Sequence, residues 1–315
     1  MNNRKAIIIS ILGTKLSSKE RKIIKLYKPW GIILFKRNCK TLPQTKKLIF
    51  EIRKTIRDNK YPILIDEEGI KVNRLSNFFR NNYSQKYFGY LYKKNSKLTE
   101  EKYVKYLSSV IQILKYLKIN INTTPVLDMH KKRTSQIIGN RSYSNDVKVI
   151  KKLGKLCINL YKKNKISNVI KHIPGHGEAT KDSHLFLPKV NKSLNYLKEN
   201  DFKCFSKMNS HFAMTAHILF NKIDNKYCVS HSAKIIKNII RKKISFKGIL
   251  ISDDISMKAL KYDLVKNALL SLKAGCNLVL YCRGNIKESK KLLIKMPFID
   301  KFTEKKTSEF YRFLS

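Results

Sequence analysis

Four stretches of this 315-residue chain gather side chains able to move protons or act as nucleophiles. They are Ile65-Asp66-Glu67-Glu68-Gly69; Lys171-His172-Ile173-Pro174-Gly175-His176-Gly177, followed closely by Asp182-Ser183-His184; Thr215-Ala216-His217; and Ser252-Asp253-Asp254. The whole chain has only 22 acidic residues and 7 histidines, so this concentration asks for a cause. Carboxylates near imidazoles suit general acid–base and nucleophilic chemistry close to neutral pH. Each residue also has a plainer use. Asp254, three residues before Met257 on an evident helix, is expected to cap that helix. Neighbouring strand residues face opposite ways, so only one of Asp253 and Asp254 is expected to enter a site unless the strand has already ended.

The group His172, His176, Asp182 and His184 matches neither HExxH nor a zinc-ribbon spacing. The Pro-Gly turn also breaks any helix that would place the first two on one face, so neither a metal nor another cofactor is expected. Gly175-His176-Gly177 is too short for a dinucleotide fingerprint. Its two glycines are expected instead to loosen a loop, about residues 175–187, that brings Asp182-Ser183-His184 to the site.

These stretches must be positioned by regular elements. Short β-branched runs alternate with amphipathic segments. The predicted strands are Ala6–Leu12, Gly31–Phe35, Pro62–Asp66, Ile119–Thr123, Val169–Ile173, Ala213–His217, Gly248–Ser252 and Asn277–Tyr281. Predicted helices cover Ser18–Tyr27, Leu42–Asp58, Thr99–Leu117, Asp146–Lys163, Leu194–Lys207, Ser232–Lys243, Ser256–Lys273, Ile286–Leu293 and Thr303–Phe313. Eight apolar strands, each followed by helix, predict an α/β fold, a (β/α)8 barrel, with all four stretches at the carboxyl ends of strands where such barrels do chemistry. A doubly wound open sheet would need a glycine-rich phosphate loop after the first strand, and only Gly13 stands there. No Pro/Gly/Ser-rich linker or composition break divides the chain, so residues 1–315 are read as one catalytic barrel domain.

With 67 Lys and Arg the formal net charge is +45, and 43% of residues are hydrophobic, which excludes a disordered or collagen-like chain. The basic residues are spread through nearly every helix and loop rather than clustered into an aromatic-interleaved patch. A general richness in Lys, Ile and Asn therefore explains them better than a nucleic-acid surface. The six cysteines lack CxxC spacing and are expected to be reduced, mostly packed thiols in a cytoplasmic protein. The start, MNNRK then AIIISILG, imitates a signal peptide but lacks a small-x-small cleavage site and suits a buried strand. No run approaches the ~18 apolar residues of a membrane-spanning helix.

Taken in order, the chain shows Gly31-Ile-Ile-Leu-Phe-Lys-Arg-Asn38, Ile65-Asp-Glu-Glu-Gly69 with Val72-Asn-Arg74, Thr124-Pro-Val-Leu-Asp128, Ile138-Gly-Asn-Arg-Ser-Tyr143, Lys171-His-Ile-Pro-Gly-His-Gly177, Asp182-Ser-His184, Met214-Thr-Ala-His217 and Phe246-Lys-Gly-Ile-Leu-Ile-Ser-Asp-Asp-Ile-Ser-Met257. This succession resembles glycoside hydrolase family 3, most of all its single-domain bacterial β-N-acetylglucosaminidases of peptidoglycan recycling. The resemblance covers about residues 6–283, and KHxPGHG followed by DSH and SDD is its most specific part. It implies a (β/α)8 barrel in which Asp253 is the nucleophile, His184 the general acid/base and Asp182 its orienting partner. By the same likeness Asp66, Arg74, Arg141, Lys171 and His172 bind the hydroxyls of a terminal N-acetylglucosamine. Two departures stand beside these positions: Gly69-Ile70-Lys71-Val72 where the family usually has Gly-Gly-Arg-Val, and Asn140 where an Asp usually precedes the Arg.

The roles are chemically coherent. A retaining glycosidase attacks the anomeric carbon with a carboxylate and protonates the leaving oxygen with a second group. A histidine suits both halves of that proton traffic near neutrality, and an Asp two residues away can fix its tautomer. The expected protein is a cytoplasmic, monomeric hydrolase of muropeptide or chitin-type fragments, with a carbohydrate as its partner and neither nucleic acid nor membrane. Two alternatives remain open at this point: a phosphorylase on the same fold, and a basic nucleic-acid or cell-wall binding protein on a retired enzyme fold.

Overall fold

The computed structural model describes residues 3–131, 134–182 and 185–315. Eight strands close into a barrel: β1 Lys5–Ser10, β2 Pro29–Leu34, β3 Ile63–Ile65, β4 Ile121–Asn122, β5 Ser167–Ile173, β6 Phe212–Thr215, β7 Ile249–Asp254 and β8 Leu278–Tyr281. Each pairs in parallel with its sequence neighbours, and β8 returns to β1. Every predicted strand has its counterpart. The apolar character is nearly continuous because both faces are covered. Ile8, Trp30, Ile33, Leu64, Val169, Phe212 and Ile251 fill the barrel interior, while alternate residues such as Ile7, Ile9, Ile32 and Ile63 pack outward under the helices.

The helices are α1 Ser18–Tyr27, α2 Leu42–Ile56, α3 Gln85–Lys94, α4 Ser96–Leu117, α5 Val147–Lys163, α6 Leu194–Glu199, α7 Ala233–Ile235 continued by the π-helical Ile236–Lys243, α8 Leu264–Ala274, α9 Ile286–Lys295 and α10 Lys301–Leu314. The last helix plugs the amino-terminal end of the barrel. Its Thr307 Oγ1 accepts from Trp30 Nε1 at 2.9 Å, and its Phe310 meets the Phe212 ring edge-on at 5.2 Å. Fully burying side chains of this size contributes roughly 1.5–3 kcal/mol each, which leaves the opposite, carboxyl end free for an open cavity.

The structure corrects three expectations. Helix α3 appears where none was expected; Gly89 lets it press so close that a Cβ there would lie 1.7 Å from Tyr143 O. The segment expected as helix Leu194–Lys207 ends at Glu199 and passes into a 3₁₀ turn at Asp201–Phe205. The helix expected from Ser256 starts only at Leu264, where Asp263 accepts from the amides of Val265 and Lys266 and is the true cap. Asp254 is therefore not a helix cap. It ends β7, and its carboxylate ties Ser256 N and Oγ to Cys282 N beyond β8.

Candidate active site

At the carboxyl ends of the strands lies a cavity of about 340 Å³, and Asp66, Arg74, Arg141, Lys171, His172 and Asp253 all line it. Six of the eight residues singled out in the sequence therefore share one enclosure.

One wall is a buried ionic network. Asp66 leaves the end of β3 and accepts from Lys171 Nζ (3.1 Å), Arg74 Nη2 (3.2 Å) and the Thr123 hydroxyl. Burial opposes ionisation, but Lys171 and then Arg74 outweigh it and hold this carboxyl well below the usual carboxylate range. Glu68 is gripped at both oxygens by Arg141 Nε and Nη2, at 2.7 and 2.9 Å, with Lys171 Nζ 2.5 Å from Oε1. Burial alone would raise its carboxyl; Arg141 and then Lys171 bring it down to about 2. The forked, two-bond geometry fixes the guanidinium plane as well as its charge. Lys171 thus joins two carboxylates and fixes the spacing of Asp66 and Glu68.

Glu67, between them, is buried and supports the wall from behind. Its carboxylate accepts the amides of Arg74 (2.9 Å) and Leu75 (3.1 Å) and Asn81 Nδ2 (2.9 Å), which sets the loop that carries Arg74. Burial pushes this carboxyl up to about 7, with Asn81 and the two amides opposing.

A second wall is organised by Asp128. Its oxygens receive His172 Nδ1 at 2.7 Å, the amide of His172 at 3.1 Å and the amide of His176 at 2.8 Å. Burial works against ionisation of Asp128, yet His172 and then His176 keep the carboxyl low. As a carboxylate it can only accept, so His172 donates from Nδ1 and its ring orientation is fixed. His176 is fully buried, and burial depresses its imidazole to about 4.

Two strand irregularities deliver the functional groups. Opposite β6, β5 spends an extra residue between Lys171 and Ile173, and Lys171 and His172 both line the cavity. Opposite β8, β7 does the same between Ile251 and Asp254, so Asp253 and Asp254 both line it too. The expectation that strand alternation admits only one of the two acids is overturned by this bulge, a device that re-aims side chains beside active sites. The acids nonetheless differ. Asp254 is engaged by Ser256 and Cys282, and burial raises its carboxyl. Asp253 Oδ1 accepts the amide of Asp254 at 2.8 Å. Beneath them His217 donates from Nε2 to Asp254 O (3.1 Å) and accepts at Nδ1 from Ser230 Oγ (2.8 Å), an uncharged imidazole kept so chiefly by burial.

Asp182 stands half-buried on the loop after β5, outside the cavity lining, where its charge acts on the exposed Lys71. Its carbonyl accepts the amides of Leu185 and Phe186, at 3.1 and 2.9 Å. His184 lies outside the described residues. Gly175 and Gly177 are both buried against Asp201, where a Cβ would come within 2.6 and 2.5 Å of its side chain, and Gly175 also takes a φ of +141° that favours glycine, so both glycines permit close packing here. Glu68, Asp128 and Lys71 are site residues the sequence reading left without a role. Glu68 and Asp128 lay inside stretches already noted, and only their long-range partners mark them. No group of three or more His, Cys, Asp or Glu among the described residues is placed to hold a metal ion.

The sequence profile of the glycosyl hydrolase family 3 N terminal domain matches residues 4–303. The chain belongs to glycosyl hydrolase family 3. It is 29% identical over 281 residues to a beta-hexosaminidase of Methylobacillus flagellatus, covering 88% of this chain and 80% of that one. A beta-hexosaminidase of Neisseria meningitidis serogroup A is 30% identical over 285 residues, 89% of this chain and 78% of its own. Among solved structures, NagZ from Neisseria gonorrhoeae in complex with N-trifluoroacetyl-D-glucosamine superposes with a TM-score of 0.88 at 26% identity, covering 99% of this chain and 90% of that one. The family 3 barrel expected from the residues is thus the one found. None of the helices among the described residues is long and apolar enough to cross a membrane.

Proposed function

We propose that this family 3 protein is a retaining β-N-acetylhexosaminidase that removes terminal N-acetylglucosamine. The observation that carries the reading is the placement of Asp253 in one cavity with Asp66, Arg74, Arg141, Lys171 and His172. Fixed cations and carboxylates on one wall can hold the sugar hydroxyls while the Asp253 carboxylate attacks the anomeric carbon. In the first step the bond to the leaving oxygen breaks as the bond to Asp253 forms, and His184, oriented by Asp182, gives that oxygen a proton. In the second step His184 takes a proton from water, whose oxygen displaces Asp253 with a second inversion. The names of the relatives support hydrolysis over phosphorolysis, and they support an N-acetylhexosamine over glucose.

The finer reading is that the aglycone is a muropeptide or chitin-type fragment, met by a monomer in the cytoplasm. The six cysteines, all present as thiols and five of them buried, support a reducing compartment. The test compares p-nitrophenyl β-N-acetylglucosaminide with the matching β-glucoside, with free sugar and sugar 1-phosphate both measured in phosphate buffer. Release of N-acetylglucosamine from the first substrate alone is the expected result. Glucoside preference or sugar 1-phosphate as the product would overturn it.

A further inference from the structure

We infer that Asp201 is a positioning residue for the proposed acid–base pair, pinning the first half of the loop after β5 so that the chain beyond Ala179 sets Asp182 beside the cavity. The inference rests on the hydrolase reading above and adds a residue to it.

Asp201 begins the short 3₁₀ turn after α6 and is 1% exposed. Its Oδ1 accepts the amide of Gly177 at 2.8 Å, and Gly175 and Gly177 pack directly on its side chain. Its Oδ2 faces Lys131 Nζ at 3.6 Å. Lys131 also pairs with Glu178, the residue after Gly177, and donates to Tyr196 Oη at 3.0 Å; Tyr196 in turn donates to Glu178 Oε1 at 3.0 Å. Asp128 holds the amide of His176 at 2.8 Å, and Thr134 Oγ1 donates to Gly177 O at 2.6 Å. Three successive residues, His176 to Glu178, are therefore fixed by buried or half-buried charges from two separate segments, residues 128–131 and the turn at Asp201. The last tie is between Ser135 N and Ala179 O, at 2.8 Å. Asp182 follows three residues later, so the direction in which the chain leaves this clamp decides where Asp182 begins.

None of these groups lines the sugar cavity except His176, so the clamp should act on proton delivery and leave sugar binding alone. The test uses the full-length Asp201→Ala, Asp201→Asn and Lys131→Met variants. Two β-N-acetylglucosaminides are compared, one with a nitrophenol and one with an alcohol leaving group. Inhibition by N-acetylglucosamine and hydrogen exchange of peptides covering residues 174–179 and 212–215 are measured alongside.

Asp201→Ala is expected to lose about 10–100-fold more kcat/KM on the poor leaving group than on the nitrophenyl substrate, as partial loss of general acid catalysis does. Inhibition by the free sugar should be unchanged. Exchange should accelerate at least tenfold in 174–179 and not in 212–215. Asp201→Asn keeps an oxygen for Gly177 and should recover most of the loss, with Lys131→Met intermediate. Equal losses on both substrates, weaker sugar inhibition in step with the loss, or unchanged exchange in 174–179 would overturn the inference. Wild-type protein that cleaves neither glycoside would overturn the hydrolase reading instead, while the exchange measurement still decides whether Asp201 is the clamp.

Discussion

The two sides of the cavity are built by opposite means. On the side of β3, β4 and β5, Asp66, Glu68, Arg74, Arg141 and Lys171 lie within ion-pair reach of one another, with Lys171 and Glu68 each only 3% exposed at the side chain. Beyond the cavity lining, on the loop after β5, Asp182 is half-exposed, and its charge acts on the exposed Lys71. Charges buried together cannot rearrange cheaply, since removing either partner strands the other in a low dielectric. A wall of that kind recognises a fixed set of hydroxyls. A proton donor that must serve a departing alcohol and then an entering water gains from a position less tightly enclosed. Under the proposed hydrolase reading, recognition falls to the rigid wall and proton traffic to the loop that carries Asp182, and the following substitutions test that division.

The largest effect should come from Asp253, which lines the cavity from the end of β7 and belongs to neither the ionic wall nor the loop. Asp253→Ala is expected to lower kcat by about 10⁴ or more, as removal of a nucleophile does, while inhibition by N-acetylglucosamine persists because the ionic wall is intact. A 5-fluoro sugar donor should label Asp253, and mass spectrometry of the labelled peptide reads the site. A label on Asp254, or no label together with strong thiazoline inhibition, would move the nucleophile to Asp254 or to the substrate's acetamide. Next comes the loop side. His184→Ala should slow poor leaving groups by about 10²–10⁴ and spare the first step with activated ones; equal losses on both would make His184 a binding residue and erase the division of labour.

On the rigid side, Lys171→Met should destabilise the protein by about 3–5 kcal/mol, the range seen when one partner of a buried pair is removed. Urea unfolding measures it, and a loss below about 1 kcal/mol would show that the wall is not one network. The sign of the pH effect follows from Glu68. Its folded-state value is near 2, against an ordinary 4.5. Its stabilisation is therefore fully present above pH 4.5 and is lost as pH falls toward 2. Without Lys171 the acid transition should move to higher pH.

The same division separates what the sequence made legible from what it hid. The eight strands are visible because Ile, Leu and Val run unbroken wherever both faces are covered, as in Ile63–Ile65 or Leu278–Tyr281. The acids and imidazoles at the strand ends were legible by type. Their partners were not, because Glu68 and Arg141 are 73 residues apart and Asp128 and His172 are 44 apart. The bulges at His172 and Asp253 were invisible for a related reason: an extra residue is defined against a neighbouring strand. Helix α3 escaped because its aromatic and lysine-rich run with a central Gly89 carries weak helix propensity, and packing against Tyr143 overrides that weakness. The packing of Gly175 and Gly177 on Asp201 was hidden as well, because a glycine needed for close packing looks the same in sequence as one needed for freedom.

The smallest effect belongs behind the rigid wall, at Glu67, where position and charge can be separated. Burial has moved its carboxyl from 4.5 up to about 7, so the folded state favours the neutral acid. Such a group contributes stability that is fully present below pH 4.5 and is lost as pH rises through 7. Glu67→Gln removes the titration and keeps an oxygen for the amides of Arg74 and Leu75. Its new N–H₂ then faces Asn81, whose side-chain amide can turn because the Tyr106 hydroxyl, now donating to Asn81 Oδ1 at 2.9 Å, can accept as well. The melting temperature of wild type and variant should therefore nearly coincide at pH 5 and diverge by pH 8, with the variant more stable there by about 1–3 kcal/mol, in line with 1.36 kcal/mol per pKa unit. Sugar inhibition should stay within about threefold across that range, since Arg74 keeps its loop. Parallel melting curves would show that Glu67 is already ionised and held by its three donors. A steep loss of sugar inhibition at pH 8 in wild type alone would show that the wall is less rigid than its buried charges imply.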